Sequence, residues 1–575
     1  MSFPLENNIK EKDIFEKDVP EHDGFAKDGI VKNISGQNTT EKDLTSKKGL
    51  NFNQISETVF KRWHGNVTVH TDYEESTIFL SLKPAFLREI CNWLFCESGY
   101  CFAGIIPEET DHEWVVHYIF YGSISKGQVN VKIQFPLAIT NLPSISMHVH
   151  AADWQEREIK DLFGLVFDGH PRLGNFVLHE KWPDGVNPMR RDFDGKAACT
   201  KQDYDSNWHP VKVLEASGSF TMPIGPVFAD HAESAHFLLE TVGEDVIRTI
   251  PRFFYKYRGL EKIAERQHFE KVCLLAERFS GTSAFAHSLA FTGAVEKIAG
   301  TNPSPRTNAL RVLIAELERI RHHASVIAGI CSSTALGVAA AQAEIIEENL
   351  LRLSCDFTGH RYFFGLNVPG GLCRDFSNEN CIEISEVLWG ILDEFKELHN
   401  LLRFTSSFLD RLEDVGIVLK DEAVSYGLVG PVARASGVSG DLRIIQPYAG
   451  YDKHLKFNVP RERQGDGYAR LRVLFSEIEQ STNLIRQISH SLPTGQVRKQ
   501  IKIKPGSAIG RVEAPTGAAF HFVRLDEKDR VVRYRIISPS FINWHGFHIA
   551  AENFAFQDFP IIMATFGLSN AECDR

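Results

Sequence analysis

Four long stretches with an apolar residue at every third or fourth position constrain the fold of this chain most. They are Leu310–Ala328, Ala340–Phe357, Asn380–Leu412 and Tyr468–Leu492. In the first stretch, Leu313, Ile314, Leu317 and Ile320 follow the 3.6-residue period of an α-helix. Because a helix with one apolar face must bury it against another element, the pattern predicts a helical bundle in the C-terminal part.

The N-terminal part has a different pattern. Short runs rich in β-branched and aromatic residues predict strands at Thr77–Leu82, Trp114–Tyr121 and Gln128–Phe135, with an amphipathic helix at Pro84–Phe95. One more strand is predicted late in the chain, at Arg530–Ser538. The expected fold class is therefore α+β, with a small α+β domain followed by a large, mainly helical domain.

A chain of 575 residues is too long for one compact core. Residues 1–55 are polar, with few aromatic or branched side chains, so we expect a disordered N-terminal arm. We predict an α+β domain at 56–193, a linker at 194–220 and the large domain at 221–575. The net charge of −11 argues against a nucleic-acid-binding protein, which usually presents a basic face.

No charged residue occurs from Ala324 to Ala343, but serines, a threonine and glycines make this stretch only weakly apolar. We therefore predict a buried core helix rather than a membrane span, with membrane contact only through partners. None of the ten cysteines forms a C-x-x-C pair, so the usual spacing for a zinc or iron–sulfur site is absent.

A charged motif lies in the first domain, between Asp153 and Pro171. Its acids precede Gly164, which can end a helix, so the motif alone indicates a capped surface helix with charges paired along it. Together with Trp182-Pro183 and Arg190–Phe193, it resembles the signature of the C-type subunit of bacterial complex I. The resemblance implies a domain without a redox centre and structural or interface roles for Glu156, Arg157, Glu158 and His170.

Short blocks follow one another in the second domain. They include Ile224–Pro226, Ala235–Phe237, Tyr257–Lys262, Glu277–Phe291, Ala294–Lys297, Gly365–Asn367, Gly430–Gly437, Gly465-Asp466, Glu513–Pro515 and Asn543-Trp544. Their order resembles the D-type subunit of complex I and, more closely, the large subunit of group 4 membrane-bound nickel–iron hydrogenases of the formate hydrogenlyase type. The resemblance covers residues 221–575 and implies a hydrogenase large-subunit fold.

Hydrogenase large subunits hold nickel and iron with two C-x-x-C pairs, because soft thiolates suit these metals. By this resemblance the four ligand positions fall at Ser280, Ser283, Ser569 and Glu572, and Cys573 alone could not rebuild the site. Thr516 also stands where the family has an arginine over the metals. We therefore expect no metal centre in this chain.

The resemblance to complex I implies a quinone pocket, with a histidine position at His236 and a tyrosine position at Gly281, which has no side chain to contribute. Ser280, Gly281 and Ser283 are candidates for lining the old metal cavity. A modified quinone site, a site for another small acceptor and a vestigial pocket all stay open. His236 is equally compatible with ligand contact and with a satisfied buried histidine.

Further polar residues in or beside these blocks are candidates for a proton relay or for a structural ion-pair network. His287, Arg434 and Asp466 are the catalytic candidates besides His236. Arg258 and Glu261 are assigned structural roles, and Glu233 is a further candidate for the cavity.

The resemblance implies a peripheral-arm subunit of a membrane-associated complex I-like oxidoreductase. This subunit would lie on the cytoplasmic side of the cell membrane and bind no cofactor itself. Electrons would come from iron–sulfur clusters in an adjacent subunit and reduce a quinone or similar acceptor, with possible ion translocation elsewhere. The alternatives are a nickel–iron hydrogenase large subunit and a non-catalytic scaffold. The donor, formate or NADH, stays open.

Overall fold

The computed structural model describes residues 52–73, 76–122, 127–179, 182–195, 217–227, 233–451 and 454–575. Most of the predicted N-terminal arm and most of the predicted linker lie outside these ranges. Helix α1 begins at Phe52, inside the segment predicted to be disordered, and strand β8 begins at Ser219, inside the predicted linker.

The strands are β1 Val67–Asp72, β2 Thr77–Leu82, β3 Tyr100–Glu109, β4 Glu113–Gly122, β5 Gln128–Pro136, β6 Asn141–Pro143, β7 Val166–Asp168, β8 Ser219–Ile224, β9 His236–Val242, β10 Asp245–Arg252, β11 Asn367–Val368, β12 Gly371–Leu372, β13 Gly506–Ala514, β14 Gly517–Leu525, β15 Val531–Ile537 and β16 Phe554–Ala555. The α-helices are α1 Phe52–Arg62, α2 Leu87–Asn92, α3 Asp153–Phe163, α4 Leu260–Ala264, α5 Phe269–Ala276, α6 Ala284–Ala299, α7 Pro305–Ser333, α8 Gly337–Thr358, α9 Asn378–Arg403, α10 Ser406–Leu409, α11 Lys420–Ser425, α12 Gly430–Ala435, α13 Leu442–Ile445, α14 Gly467–His490, α15 Pro539–Ala550 and α16 Phe559–Phe566.

The first domain is built on a five-stranded sheet with the order β1-β2-β5-β4-β3. The pair β2–β5 is parallel, and the other pairs are antiparallel. The three strands predicted here are confirmed. The helix predicted at Pro84–Phe95 is present as three short pieces, because a 3-10 turn precedes α2 and a π-turn follows it.

Helix α3 carries the charged motif, and Gly164 ends it with a left-handed backbone (φ 77°), as predicted. The prediction of a surface helix is wrong, because Glu156, Glu158 and Asp161 are all buried. Nor do these acids pair mainly along the helix. Their principal partners are distant in the chain, and Glu158 bonds Arg535 (2.6 Å) and Arg575 (2.9 Å) of the second domain.

Helices α7, α8, α9 and α14 form the predicted bundle, with α7 packed against α8 and α14. The uncharged stretch 324–343 is not one helix, because the chain breaks between α7 and α8. Ala335 has a positive φ of 60° at this break. Within the described ranges, no helix is both long enough and apolar enough to cross a bilayer.

The last sheet, β13-β14-β15, is antiparallel and lies against α6. The contact is close at Gly510, where an added Cβ would lie 1.7 Å from the carbonyl oxygen of Ala290. Only glycine fits there. This approach holds β13, and with it the paired strand β14, next to the N-terminal half of α6, where the candidate site is found.

Candidate functional site

The loop Ser280–Ser283 leads directly into α6, and helix α7 holds it in place. Ser283 is the N-cap residue, but its side chain makes no capping bond. The Glu318 carboxylate caps the helix instead, accepting from the backbone N–H groups of Phe285 (2.7 Å) and Ala286 (2.9 Å). Arg321 donates to the carbonyls of Gly281 (3.2 Å) and Thr282 (2.8 Å). One turn of α7 therefore fixes both sides of the loop.

A chain of buried hydrogen bonds runs inward from this loop. Ser280 Oγ donates to Glu572 Oε1 (3.1 Å), which lies 3.3 Å from His287 Nε2. His287 Nδ1 lies 3.0 Å from His521 Nε2, and His521 Nδ1 lies 2.8 Å from the Tyr534 hydroxyl. All five side chains are buried. The structure thus brings Glu572 to Ser280 and His287, which lie 292 and 285 residues before it in the sequence.

Burial and hydrogen bonding within this chain of hydrogen bonds favour one protonation state for Glu572 and one for His521. Burial alone would raise the pKa of Glu572, but hydrogen bonds from His287 and Ser540 hold it below the ordinary value, so the group is ionised. Burial, with His287 close by, lowers the pKa of His521 far below the ordinary value, so that imidazole is neutral. The Tyr534 hydroxyl then donates to His521, and His521 donates to His287, so the hydrogen bonds are all oriented in the direction of Glu572.

The second predicted ligand segment is held by a different acid. Ser569 Oγ donates to Glu233 Oε1 (3.1 Å), and the same carboxylate accepts from the backbone N–H groups of Asn570 and Ala571 (3.0 Å for Ala571). Glu233 therefore supports the C-terminal segment next to Glu572. Its role as a cavity residue stays a prediction.

The four positions that the resemblance assigns to metal ligands present three hydroxyls and one carboxylate. Nickel and iron of the hydrogenase type need soft thiolate ligands, and a serine hydroxyl stays protonated at neutral pH. Burial raises the pKa of the Cys573 thiol far above the ordinary value, so the neighbouring sulfur is a neutral thiol. These residues do not fit a nickel–iron centre.

Two hydroxyls at positions that the resemblance assigns to the old metal cavity have no hydrogen-bond partner among the described residues. They are Ser283 Oγ, in a residue with 0% exposure, and Thr516 Oγ1, in a residue with 3% exposure. A buried hydroxyl without a partner is costly, so both groups are suited to bonding a polar ligand atom.

The other catalytic candidates lie elsewhere. His236 starts β9, pairs with Arg252 on β10 and is half-buried; burial and Arg252 lower its pKa. Asp466 caps α14 by accepting from the backbone N–H of Ala469 (2.7 Å). Arg434 is fully buried in a charged cluster around α7. Within the described ranges, no hydrogen bond joins these three residues to the Ser280 loop.

Of the residues assigned structural roles, Glu158 and Glu261 lie where the two domains meet, because both contact Arg535, whereas the contacts of the others stay within one domain. Glu261 contacts Arg533 and Arg535 (3.2 and 3.3 Å), and the Arg258 backbone N–H donates to the carbonyl of Asp574 (3.0 Å). The remaining contacts are Glu156 to Ser144 (2.6 Å), Arg157 to the carbonyls of Leu173 and Asn175 (3.3 Å each), and His170 to Asp153 (3.0 Å).

Sequence reasoning missed a group of titratable residues on one segment of α7. The segment Glu316–His323 carries Glu316, Glu318, Arg319, Arg321, His322 and His323, and every one of them is buried. The sequence contained a signal for this burial. The charged residues occupy several faces of α7, and the helix before and after them is apolar on all its faces. His521 gave no comparable signal, since it is an isolated histidine with apolar neighbours on both sides in its strand.

Comparisons with known proteins agree with this architecture. Residues 80–198 match the family of the 30 Kd subunit of respiratory-chain NADH dehydrogenase, and residues 342–504 and 496–575 match its 49 Kd subunit. Formate hydrogenlyase subunit 5 of Escherichia coli is 28% identical over 521 residues, covering 89% of this chain and 91% of that protein. Hydrogenase-4 component G of the same bacterium is 27% identical, covering 80% of this chain and 81% of that protein.

Two further matches extend the comparison. The C/D subunit of NADH-quinone oxidoreductase from Acinetobacter baylyi is 25% identical, covering 80% of this chain and 84% of that protein. A chain in the solved structure of the membrane-bound sulfane sulfur reductase, an archaeal respiratory membrane complex, superposes with a TM-score of 0.60 at 25% identity. That match covers 63% of this chain and 100% of the other.

The fold and these matches define a fused 30-kDa and 49-kDa subunit of the complex I type. In this chain a 30-kDa-type and a 49-kDa-type complex I domain are joined in one polypeptide, in the order of the predicted C-type and D-type domains.

Proposed function

We propose that this chain is the peripheral-arm subunit of a membrane-associated complex I-like oxidoreductase, and that its acceptor binds beside the Ser280–Ser283 loop. The acceptor is a quinone or a similar small carbonyl compound. The observation that carries the proposal is the Ser280–Glu572–His287 arrangement at the positions of the lost metal ligands. The names of the relatives, which include an NADH-quinone oxidoreductase, support the same reaction class.

The chemistry of the loop suits a carbonyl acceptor. Ser283 offers a buried hydroxyl without a partner, which can donate to a carbonyl oxygen. Reduction of a quinone takes up two electrons and two protons to give a quinol. In this proposal the electrons come from iron–sulfur clusters of an adjacent subunit. Glu572 and His287 receive and pass protons next to the acceptor.

A pair of serine substitutions tests the site. We expect Ser283→Ala to lower kcat/KM for quinone reduction by the intact complex about tenfold, because one hydrogen bond to the acceptor is lost. Ser288→Ala is the matched control, since that hydroxyl, also buried, donates to the backbone carbonyl of Phe285 (2.9 Å). Unchanged turnover in Ser283→Ala would favour a scaffold role and contradict the proposal.

The alternative hydrogenase function is tested by metal analysis. The donor set predicts that the purified complex holds no nickel bound to this chain. Stoichiometric nickel that disappears in Glu572→Gln would overturn this expectation.

The assembly belongs to the proposal as well. The subunit is placed on the cytoplasmic side of the cell membrane, next to an iron–sulfur subunit and other complex I-like peripheral and membrane subunits. Ion translocation would occur in the membrane partners. Co-purification of a formate dehydrogenase or of an NADH-oxidising flavoprotein would identify the donor.

A further inference from the structure

A second buried site lies on another side of α7, away from the Ser280 loop. Seven charged side chains meet there, and none is more than 3% exposed. The arginines are Arg319, Arg434 and Arg443, and the acids are Glu316, Asp441, Glu477 and Glu513. We call this group the core cluster.

The core cluster has one acid more than it has arginines. An uncompensated charge in a dry interior costs several kcal/mol, so the cluster is stable only if it also holds a proton. His323, whose Nε2 lies 2.9 Å from Glu477, is the one imidazole that directly contacts a cluster acid among the described residues. Burial lowers the pKa of His323, which leaves this imidazole neutral near pH 7. The extra proton therefore belongs on a carboxyl group.

The hydrogen bonds identify which carboxyl group this is. Glu316 accepts from Arg443 (3.1 Å), Arg319 (3.2 Å), Ser481 (2.5 Å) and Tyr451. These arginines, with the two hydroxyls, overcome the effect of burial and lower the pKa of Glu316 to about 2.

Two further acids are also held ionised. Asp441 is bound by Arg443 (2.8 Å) and Arg434 (3.3 Å). Glu477 is bound by Arg434 (2.7 Å), with Arg319 at 3.8 Å. Each acid therefore has two arginine partners, and in each the arginines lower the pKa despite burial.

Glu513 is the exception. Its carboxyl contacts one arginine, Arg434 (2.9 Å), and accepts from the backbone N–H of Leu442 (3.0 Å). Burial and the negative charge of Asp441 raise its pKa to about 7. Moreover, Arg434 Nη2 has no hydrogen-bond partner among the described residues, although Arg434 is fully buried. A polar group with spare bonding capacity therefore sits beside Glu513.

We propose that the core cluster is a proton-binding site that holds one exchangeable proton on the carboxyl group of Glu513. The other ionisable groups that face Glu513 come from several elements: Arg434 on α12, Asp441 and Arg443 at α13, Arg319 on α7, Tyr448 between α13 and α14, and Tyr121 on β4. Burial raises the pKa of both tyrosines, so both hydroxyls stay neutral near pH 7.

The site has a use in the reaction. Glu513 begins the Glu-Ala-Pro block, which Thr516 follows directly, and the resemblance places Thr516 over the old metal cavity. A proton leaving Glu513 can serve an acceptor reduced at that cavity, and the cluster is then recharged from solvent. This use rests on the proposed function, whereas the proton-binding site itself does not.

Infrared difference spectroscopy of the purified complex tests the proton-binding site. We expect the C=O stretching band of a protonated carboxyl group to disappear as the pH is raised from about 5 to about 9, and to shift in D2O. The band is absent in Glu513→Gln. Glu156→Gln is the control, because Glu156 is a buried carboxyl outside the cluster with its pKa also raised to about 7. This control removes a different band and leaves the Glu513 band in place.

A second variant tests the charge balance. Asp441→Asn leaves three acids against three arginines, so Glu513 ionises and its band is lost although Glu513 is intact. An unchanged band in Asp441→Asn, or an unchanged spectrum in Glu513→Gln, would overturn the proposal. Neither measurement depends on quinone reduction, so both test the proton-binding site independently of the proposed function.

Turnover tests the use of the proton. In the intact complex, we expect Glu513→Gln to lower quinone reduction about 10²-fold and to remove the dependence on a group titrating near pH 7. Glu156→Gln keeps the wild-type rate and profile. Equal pH profiles in wild type and Glu513→Gln would contradict the supply of protons from this site.

Discussion

Two buried clusters are both built from acidic residues and arginines, but their net side-chain charges have opposite signs. The core cluster has four acids and three arginines. The cluster between the domains has two acids, Glu158 and Glu261, and three arginines, Arg533, Arg535 and Arg575. Both are almost fully buried.

The difference decides what each cluster can do. With arginine in excess, the interdomain acids have no reason to hold a proton, and Arg535 and Arg575 lower the pKa of Glu158 despite its burial. That cluster is therefore suited to connecting the domains. With acid in excess, the core cluster must take up a proton that it can also release. In this protein the sign of the surplus side-chain charge therefore distinguishes the two clusters.

The largest effect is expected when the interdomain cluster is broken. Glu158→Gln leaves Arg535 and Arg575 without their main counter-charge, so the free energy of unfolding should fall by about 3–5 kcal/mol. Chemical denaturation followed by tryptophan fluorescence measures this change. Glu348→Gln is the matched control, because that acid forms exposed pairs with Arg352 and Arg361. Similar losses in both variants would contradict the structural role of the cluster.

A smaller, pH-dependent effect is expected in the core cluster. Glu513 has a pKa of about 7 in the folded protein against an ordinary value of 4.5. Its stabilising contribution is therefore complete below pH 4.5 and is lost as the pH rises through about 7. The free energy of unfolding of the wild type, measured relative to Glu513→Gln, should fall by about 3 kcal/mol across this window. A constant difference would show that the carboxyl binds no extra proton on folding.

The smallest effect is expected in the uncharged part of the site. Tyr534→Phe removes the hydroxyl that donates to His521, and we expect a loss of about 1 kcal/mol in the free energy of unfolding. The phenyl ring of this variant keeps the ring contact that Tyr534 makes with Phe291 (5.4 Å between centroids). If Tyr534→Phe lost as much free energy of unfolding as Glu158→Gln, the hydrogen-bonded histidines His287 and His521 would carry a charge. That result would contradict the neutral state inferred for His521.

Local pattern was sufficient for much of the fold. The strand at Thr77–Leu82, the end of α3 at Gly164 and the long bundle helices follow from periodicity and from one glycine, because these features depend on neighbours in sequence. The order of the motif blocks also indicated the family. The break between α7 and α8 was missed, since no proline marks it.

The candidate site was predictable only in part. Ser280 and Glu572 were predicted as replaced ligand positions from the resemblance, yet their direct bond depends on a contact across 292 residues of chain. The acids of α3 were taken for surface groups for the same reason, because the arginines that bury Glu158 lie 377 and 417 residues away. Charge pairs of this kind leave no trace in local spacing.

Helix α7 supports two sites with adjacent residues. Glu318 and Arg321 hold the acceptor loop, while Glu316 and Arg319 belong to the core cluster. A rotation or axial shift of this one helix would therefore displace both sites at once. Mutational scans across Glu316–Arg321 should accordingly give mixed phenotypes, in which acceptor affinity and proton affinity change together. Both affinities must therefore be measured for each variant before a defect is assigned to a single residue.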